Sequence, residues 1–414
     1  MEQPSLLLRA AWVCPVAQAP LRDGWVHVEG DRVTAVGQGA SAPGAAREEA
    51  LGSVVVMPGL VNAHTHLELS WLRGAVPPST DFLAWVGQLM RARGAFEHAA
   101  DAHKMAAVRA AIKEMRASGT VAVGDIANAL VTPAVLAEMQ MPAVVFHELM
   151  GFRDTDGRAA VEASRTRRAA LGSADVRVVV AAHAPFSVSP ELFAAIRDDV
   201  RAAPRPLTSV HVGESRAEVQ LLHDGTGPWR ERLEALGVWR ADWTPPGRGP
   251  GEYLCDVGVI AAGTLAVHGV HLRDDELAHL AACDATLVTC PRSNAWVGVG
   301  APPVARFFAS GARVAVGTDS LASAPDLNLF AELAALHRLA PDVPARRLID
   351  AATRGGAQAL QLDGRFGVIA AGLSAQLVAV SVPEGTTDPE AELVAGVTPG
   401  RIRWVGAPRP ESRH

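Results

Sequence analysis

Eight strand-length apolar runs, each followed by a stretch with helical spacing, constrain this chain more than any other feature. In order they are VVVMPGLVNAHTH, TVAVGDIA, AVVFHELMG, VRVVVAAHAP, PLTSVHVGES, TLAVHGVHL, ATLVTCPRSN and RVAVGTDS. Strands apolar along their whole length are covered on both faces, which a parallel sheet wrapped by helices provides. PELFAAIRDDV after the fourth run and DDELAHLAAC after the sixth have the helical character this requires. Eight such units predict an α/β protein with a (β/α)8 TIM-like barrel over residues 58–363. A doubly wound open sheet is the alternative, but no GxGxxG follows a first strand. The βα alternation is the only repeat in the chain.

The two ends read differently. Residues 5–57 alternate short β-rich runs (LLLRAAWV, GWVHVEGDRVTAVG, SVVVMPG), with a hairpin turn at Glu29-Gly30-Asp31. The tail from Gly364 is similar, with FGVIAAG, AQLVAVSV, ELVAGV and RIRWVGA. Neither end is long enough to bury both faces of a sheet, so residues 1–57 and 364–414 are expected to join in one small β-sandwich. Residues 227–256, rich in tryptophan, proline and glycine, follow the fifth strand. In a barrel they would stand above the C-terminal face as a candidate lid, with a solvated insertion as the alternative.

Composition excludes several classes. A hydrophobic fraction of 49% against 20% charged residues supports a large core without disulfides. The net charge of −6, spread along the chain, supplies no basic footprint for nucleic acid or an anionic membrane. Cys14, Cys255, Cys283 and Cys290 form no CxxC pair and read as small buried hydrophobes. Arg9 interrupts the apolar start, so strand pairing is expected there instead of a signal peptide. No run of ~18 apolar residues exists to span a membrane. A cytoplasmic protein acting on a small molecule is the expectation.

The chemistry sits where a barrel puts it, at the C-terminal strand ends. The first run ends in His64-Thr65-His66, and residues i and i+2 of a strand share a face. The fifth ends in His211 and the eighth in Asp319. Three neutral imidazoles and a carboxylate suit Zn2+, with Fe2+ or Mn2+ as alternatives. A lone HxH would read as structural histidines, but four ligand-type residues at the right strand ends point to one metal site. Glu214, three residues past His211, is placed to carry a proton between water and substrate, against the alternative of a solvated loop carboxylate. His268, at the end of the sixth run, is placed to hold or polarise that water. His271 is expected to be structural.

Taken together, PGLVNAHTHLELS, HVGES, LAVHGVHL, CPRSN and GTDSLAS resemble the amidohydrolase superfamily, in its cytosine-deaminase and chlorohydrolase-like branch. The likeness covers nearly the whole chain. It implies metal ligation by His64, His66, His211 and Asp319, a proton shuttle at Glu214 and a water-orienting base at His268. It also implies substrate contact by His183, and structural or pocket-shaping roles for Ser293 and Asn294. Binuclear members bridge their metals with a lysine on a middle strand. Lys104 and Lys113 are the only lysines here, and both lie in a helix-like stretch before the second strand, so one ion is expected. A homodimer is the assembly such proteins usually adopt.

A narrower likeness joins HTHLELS with Glu68, HVGESRAEVQLLHDGTGPW and GTDSLAS to aminodeoxyfutalosine and adenosine-type deaminases. The chain departs from the usual GKxADLV-like closing run, having Gly372-Leu373-Ser374-Ala375-Gln376-Leu377-Val378 instead. That departure touches the terminal sheet and not the site. Glu68 and Trp71 are expected substrate contacts. Arg73, Trp85, Arg153 and Trp229 are further candidates for the pocket wall, with core or surface as the alternative for each.

The expected reaction is hydrolytic deamination of an amino-substituted purine- or nucleoside-like heterocycle by metal-activated water, with Asp319 taking the water's proton. Opening a cyclic amide or releasing chloride on the same site is the first rival. A metal-binding scaffold without activity is the second, and the complete set of expected groups speaks against it.

Overall fold

The computed structural model describes residues 5–94 and 101–406. The chain divides into two compact units, one of Met1–Asn62, Lys113–Ala122 and Asn328–His414, the other of Ala63–Ile112 and Val123–Leu327. No helix among the described residues is long and apolar enough to cross a membrane.

The N-terminal segment supplies β1 (Ser5–Val13), β2 (Leu21–Glu29), β3 (Arg32–Gln38), β4 (Arg47–Ala50) and β5 (Val54–Pro58). Eight strands follow: β6 (Leu60–Thr65), β7 (Thr120–Ala127), β8 (Ala143–Leu149), β9 (Val176–Ala182), β10 (Thr208–Val212), β11 (Thr264–His268), β12 (Thr286–Thr289) and β13 (Arg313–Val316). β14 (Gln376–Ser381) and β15 (Ile402–Gly406) close the described chain.

The termini build one sheet and not a two-sheet sandwich. Its order is β15-β14-β5-β1-β2-β3, with β4 pairing β1. The physical reason lies at the free edge of β3. Val33 N donates to Leu373 O at 2.9 Å and Gly372 N to Val33 O at 2.8 Å, just ahead of β14. The sheet therefore curls around its own apolar face, and no second layer is needed. Leu8, Val13, Val26, Val33, Val56 and Leu377 meet in that core.

The other eight strands carry the expected βα alternation. β7, β10 and β11 are buried along their whole length, as strands covered on both faces must be. They form two four-stranded sheets, β6-β7-β8-β9 and β10-β11-β12-β13, so the closed barrel expected from the sequence needs correcting to a barrel-like arrangement with two seams. At one seam His211 N donates to His183 O at 2.8 Å. At the other, Thr318 N and Asp319 N both reach His64 O, at 3.0 and 3.1 Å. Both seams fall at the strand ends that bear the polar residues. Asp319, at φ 58, has already left extended geometry there, so a regular ladder cannot continue.

Candidate metal centre

β6 delivers the first pair of imidazoles. Strand alternation puts His64 and His66 on one side, and their ring centroids lie 5.0 Å apart, edge to face. His211, in β10, brings its ring to 5.0 Å from His64 and 5.5 Å from His66. Asp319 arrives from the turn after β13. Its Oδ1 is 3.5 Å from His66 Nε2 and 4.0 Å from His64 Nε2. His268, at the tip of β11, stands 5.3 Å from His211 and 5.9 Å from His64. The donor atoms of His64, His66 and Asp319 lie within 4.8 Å of one another, and so do those of His64, His211 and His268. The four ligands expected from the sequence thus converge around His64.

The protonation pattern suits a cation. Burial lowers His64 well below the ordinary histidine range, and the neighbouring imidazoles add to it. Burial likewise lowers His66 and His211. Each is then a neutral ligand with a lone pair to give. His211 Nδ1 lies 3.0 Å from the carbonyl of His183. A carbonyl only accepts, so the proton sits on Nδ1 and Nε2 is left as the donor to a metal. Burial alone would raise Asp319, yet on balance it is lowered, and the hydrogen bond that Ser293 donates to Oδ2 favours its charged form. Three neutral imidazoles and one anionic oxygen fit a divalent ion such as Zn2+.

Glu214 behaves in the opposite sense. Burial, then Asp319 and Glu218, raise it well above the usual carboxyl range. Its Oε1 is 3.6 Å from His268 Nε2. Two carboxyls in one site are thereby shifted in opposite directions, Glu214 up and Asp319 down. His268 is lowered to about 3, burial first and His211 second, so it too is neutral.

These groups form the floor of a cavity of about 470 Å³. Its wall is apolar and aromatic, with Phe82, Trp85, Phe152, Phe186 and Trp229 among the lining residues. Phe186 and Trp229 stack with centroids 3.9 Å apart and planes 11° from parallel. The segment 227–256 contributes Trp229, Arg232, Leu233, Leu236 and Val238. His183, Trp85 and Arg153 also line the cavity.

Glu68 and Trp71 do not line it and need correcting. The Glu68 carboxylate accepts from the backbone N–H groups of Asn128, Ala129 and Val131, at 3.0, 3.0 and 3.2 Å. It ties down the loop after β7, a structural task that spacing alone cannot show. Trp71 is partly buried against a cluster of buried residues that includes Leu72 and Trp85, and it receives Lys104 Nζ 5.3 Å from its ring centroid. Arg73 is exposed and also lies off the wall. His271 Nε2 donates to Val299 O at 2.9 Å, the structural role expected of it.

Three acidic groups escaped the sequence reading. Glu148, at the end of β8, brings Oε1 to 3.5 Å from His211 Nδ1, and its Oε2 accepts from Asn128 Nδ2 at 2.9 Å. Asp125, in β7, accepts from Leu67 N at 2.8 Å and Thr132 Oγ1 at 2.6 Å, fixing the chain directly after His66. Burial pushes it up to about 8. Glu218 accepts from Gly213 N and Glu214 N, at 2.8 and 3.1 Å, and so sets the turn that aims Glu214. Burial pushes it up to about 7. The strand-end rule that found Asp319 would have found Glu148 as well. Ser215-x-x-Glu218 reads as an ordinary capping box, which hid the second role of Glu218.

Comparison with known proteins places these observations. The sequence profile of the amidohydrolase family matches residues 55–403. The chain is 32% identical over 355 residues to an aminodeoxyfutalosine deaminase of Deinococcus radiodurans, covering 82% of this chain and 81% of that protein. It is also 32% identical over 373 residues to a 5-methylthioadenosine/S-adenosylhomocysteine deaminase of Halobacterium salinarum, covering 86% and 80%. Among solved structures, an adenosine deaminase of Xanthomonas campestris with bound zinc superposes with a TM-score of 0.82 at 25% identity, over 97% of this chain and 91% of that one.

Proposed function

The chain belongs to the amidohydrolase family, and on that premise we propose that it deaminates an amino-substituted purine nucleoside by hydrolysis. The observation that carries this reading is a pair of carboxyls at the floor of one cavity, Glu214 and Asp319, set beside His268 and His66 and shifted in opposite directions, the first up and the second down. A nucleoside deaminase needs both: a base for the attacking water and an acid for the ring nitrogen.

His64, His66, His211 and Asp319 would hold one divalent cation, with Zn2+ ahead of Fe2+ or Mn2+. Bound there, it supplies the Lewis acidity that makes water a nucleophile near neutral pH. Lys104 and Lys113 both lie in the helix Ala102–Ala117, so no barrel strand offers a bridging lysine, which supports a single ion.

The remaining tasks fall to the chain's own residues. Asp319 Oδ1 is the base that takes a proton from the attacking water. Glu214 gives its proton to the ring nitrogen as the carbon becomes tetrahedral. Asp319 then passes the water's proton to the departing amine, the C–N bond breaks to release ammonia, and the hydroxyl of the tetrahedral centre returns a proton to Glu214 as the carbonyl forms. His268, facing Glu214, stabilises the charge that develops between them. The flat faces of Phe186 and Trp229 suit a planar heterocycle and keep bulk water from it. The substrates for which the relatives are named, 5-methylthioadenosine, S-adenosylhomocysteine and aminodeoxyfutalosine, support an adenine-bearing nucleoside.

The test is a screen for ammonia release by zinc-loaded protein. It takes those three compounds, adenosine, cytosine and a pterin, with metal content read by mass spectrometry. Ammonia from at least one nucleoside, with one metal per chain, is the expected result. Chloride from a chlorinated triazine or a ring-opened cyclic amide, with no ammonia from any nucleoside, would replace this reading by another hydrolase.

A further inference from the structure

β12 contributes neither a metal donor nor a proton carrier, yet the helix Pro291–Val297 that follows it puts two consecutive, fully buried polar residues beside the site. Building on the deaminase reading above, we propose that Ser293 and Asn294 are positioning residues. Ser293 restricts Asp319 to one free oxygen, and Asn294 fixes the tautomer of His268.

Ser293 Oγ donates to Asp319 Oδ2 at 2.6 Å, while Oδ1 faces His66 and His64. The two carboxylate oxygens are thereby given separate duties. Oδ2 is engaged by the hydroxyl, and Oδ1 is the oxygen left to a cation and to water. Thr65 Oγ1 holds the backbone of the same residue, donating to Asp319 O at 2.9 Å.

Asn294 Nδ2 lies 3.0 Å from His268 Nδ1. An amide nitrogen only donates, so Nδ1 accepts and the imidazole proton resides on Nε2, the atom facing Glu214. Asn294 Oδ1 is buried without a hydrogen-bond partner among the described residues, and Nδ2 is the amide atom that meets His268. His268 therefore offers a donor to Glu214 and to the reacting water. It orients that water but cannot take its proton, which leaves Asp319 as the base.

Backbone geometry points the same way. His268 and Asp319 are both non-glycine residues at positive φ, 77 and 58. Such conformations persist where surrounding structure over-determines them. Here one helical turn holds both side chains at once.

The experiment is 15N NMR of the imidazoles in metal-free wild-type protein labelled at histidine, with His268 assigned by loss of its signals in His268→Gln. The expected result is an unprotonated Nδ1 and a protonated Nε2. Asn294→Asp, whose carboxylate can only accept, should reverse the two and lower kcat by ~10²-fold with KM within ~3-fold. Ser293→Ala should weaken zinc binding in a chelator competition by ~10–100-fold while the circular dichroism spectrum is kept. A protonated Nδ1 in the wild type, unchanged nitrogen signals in Asn294→Asp, or unchanged zinc affinity in Ser293→Ala would each overturn the proposal. The wild-type spectrum needs no substrate. If it is as expected and no compound releases ammonia, only the deaminase reading falls.

Discussion

The floor and the wall of the cavity are built by different rules. Floor residues come from strand tips, are buried or nearly so, and several are oriented by a partner: His211 by the His183 carbonyl, Asp319 by Ser293, Glu214 by the turn that Glu218 holds. Wall residues come from helices and connecting segments, and they present apolar surface with few directional bonds. Met90, Met150 and Leu236 on that wall are 53%, 48% and 62% exposed, while His268, on the floor, is 1% exposed. The floor commits the protein to one kind of chemistry. The wall selects which molecule receives it, and it can change without disturbing the reaction.

The largest effect should come from the floor. Glu214→Gln is expected to lower kcat by ~10³-fold, since general acid–base groups are worth ~10²–10⁴. Zinc content and thermal stability should stay near wild type. Activity close to wild type in that variant would remove the shuttle and with it the contrast between floor and wall.

Next comes a residue expected from the sequence to touch substrate, whose carboxylate holds a loop. Glu68→Ala leaves three backbone N–H groups without their carboxylate, and it should cost ~2 kcal/mol in urea denaturation. Its kcat/KM at a temperature well below melting should stay within threefold. A large rise in KM with unchanged stability would return Glu68 to the substrate.

Trp229→Ala probes the wall directly. Losing the Phe186 stack should raise KM by ~10-fold and leave kcat within ~3-fold, because such a contact serves bound substrate and transition state alike. An equal loss in kcat would show that the wall takes part in the chemistry.

The smallest expected effect separates burial from function on a single strand. His147 and Glu148 are neighbours in β8, and alternation sends them to opposite faces. His147 meets Ser164 Oγ at 2.7 Å and Arg167 at 3.3 Å, away from the donor cluster. Burial, then Arg167 and Arg168, lower it to about 4. A histidine depressed in the folded state contributes fully above its unfolded value near 6.5, and that contribution is lost as pH falls toward 4. His147→Asn should therefore flatten the fall in stability between pH 6.5 and 4 by ~1–2 kcal/mol without altering zinc affinity. An unchanged acid limb would show that His147 titrates normally.

Much of the floor was legible because strand geometry is periodic. HTH places two rings on one face whatever lies around it, and the order His64, His66, His211, His268, Asp319 follows strand ends that apolar runs reveal. Glu148 obeys the same rule and was there to be found. Asp125 and Glu218 were not, since both act through backbone N–H groups, which carry no sequence signature. Trp85, Arg153 and Trp229 were legible as candidates only, because helix and loop residues gain their orientation from packing. Glu68 shows the reverse error, a motif residue whose carboxylate turns away from the cavity toward a loop.

The sequence alone determined the βα alternation and the expected donor set, because both rest on local periodicity and on residue chemistry. Tertiary structure alone decided that the terminal strands curl into one sheet, that the barrel strands part at two seams, and which nitrogen or oxygen of each site residue is left free. Those outcomes depend on hydrogen bonds between groups far apart in the chain, and no local pattern encodes which partners will meet.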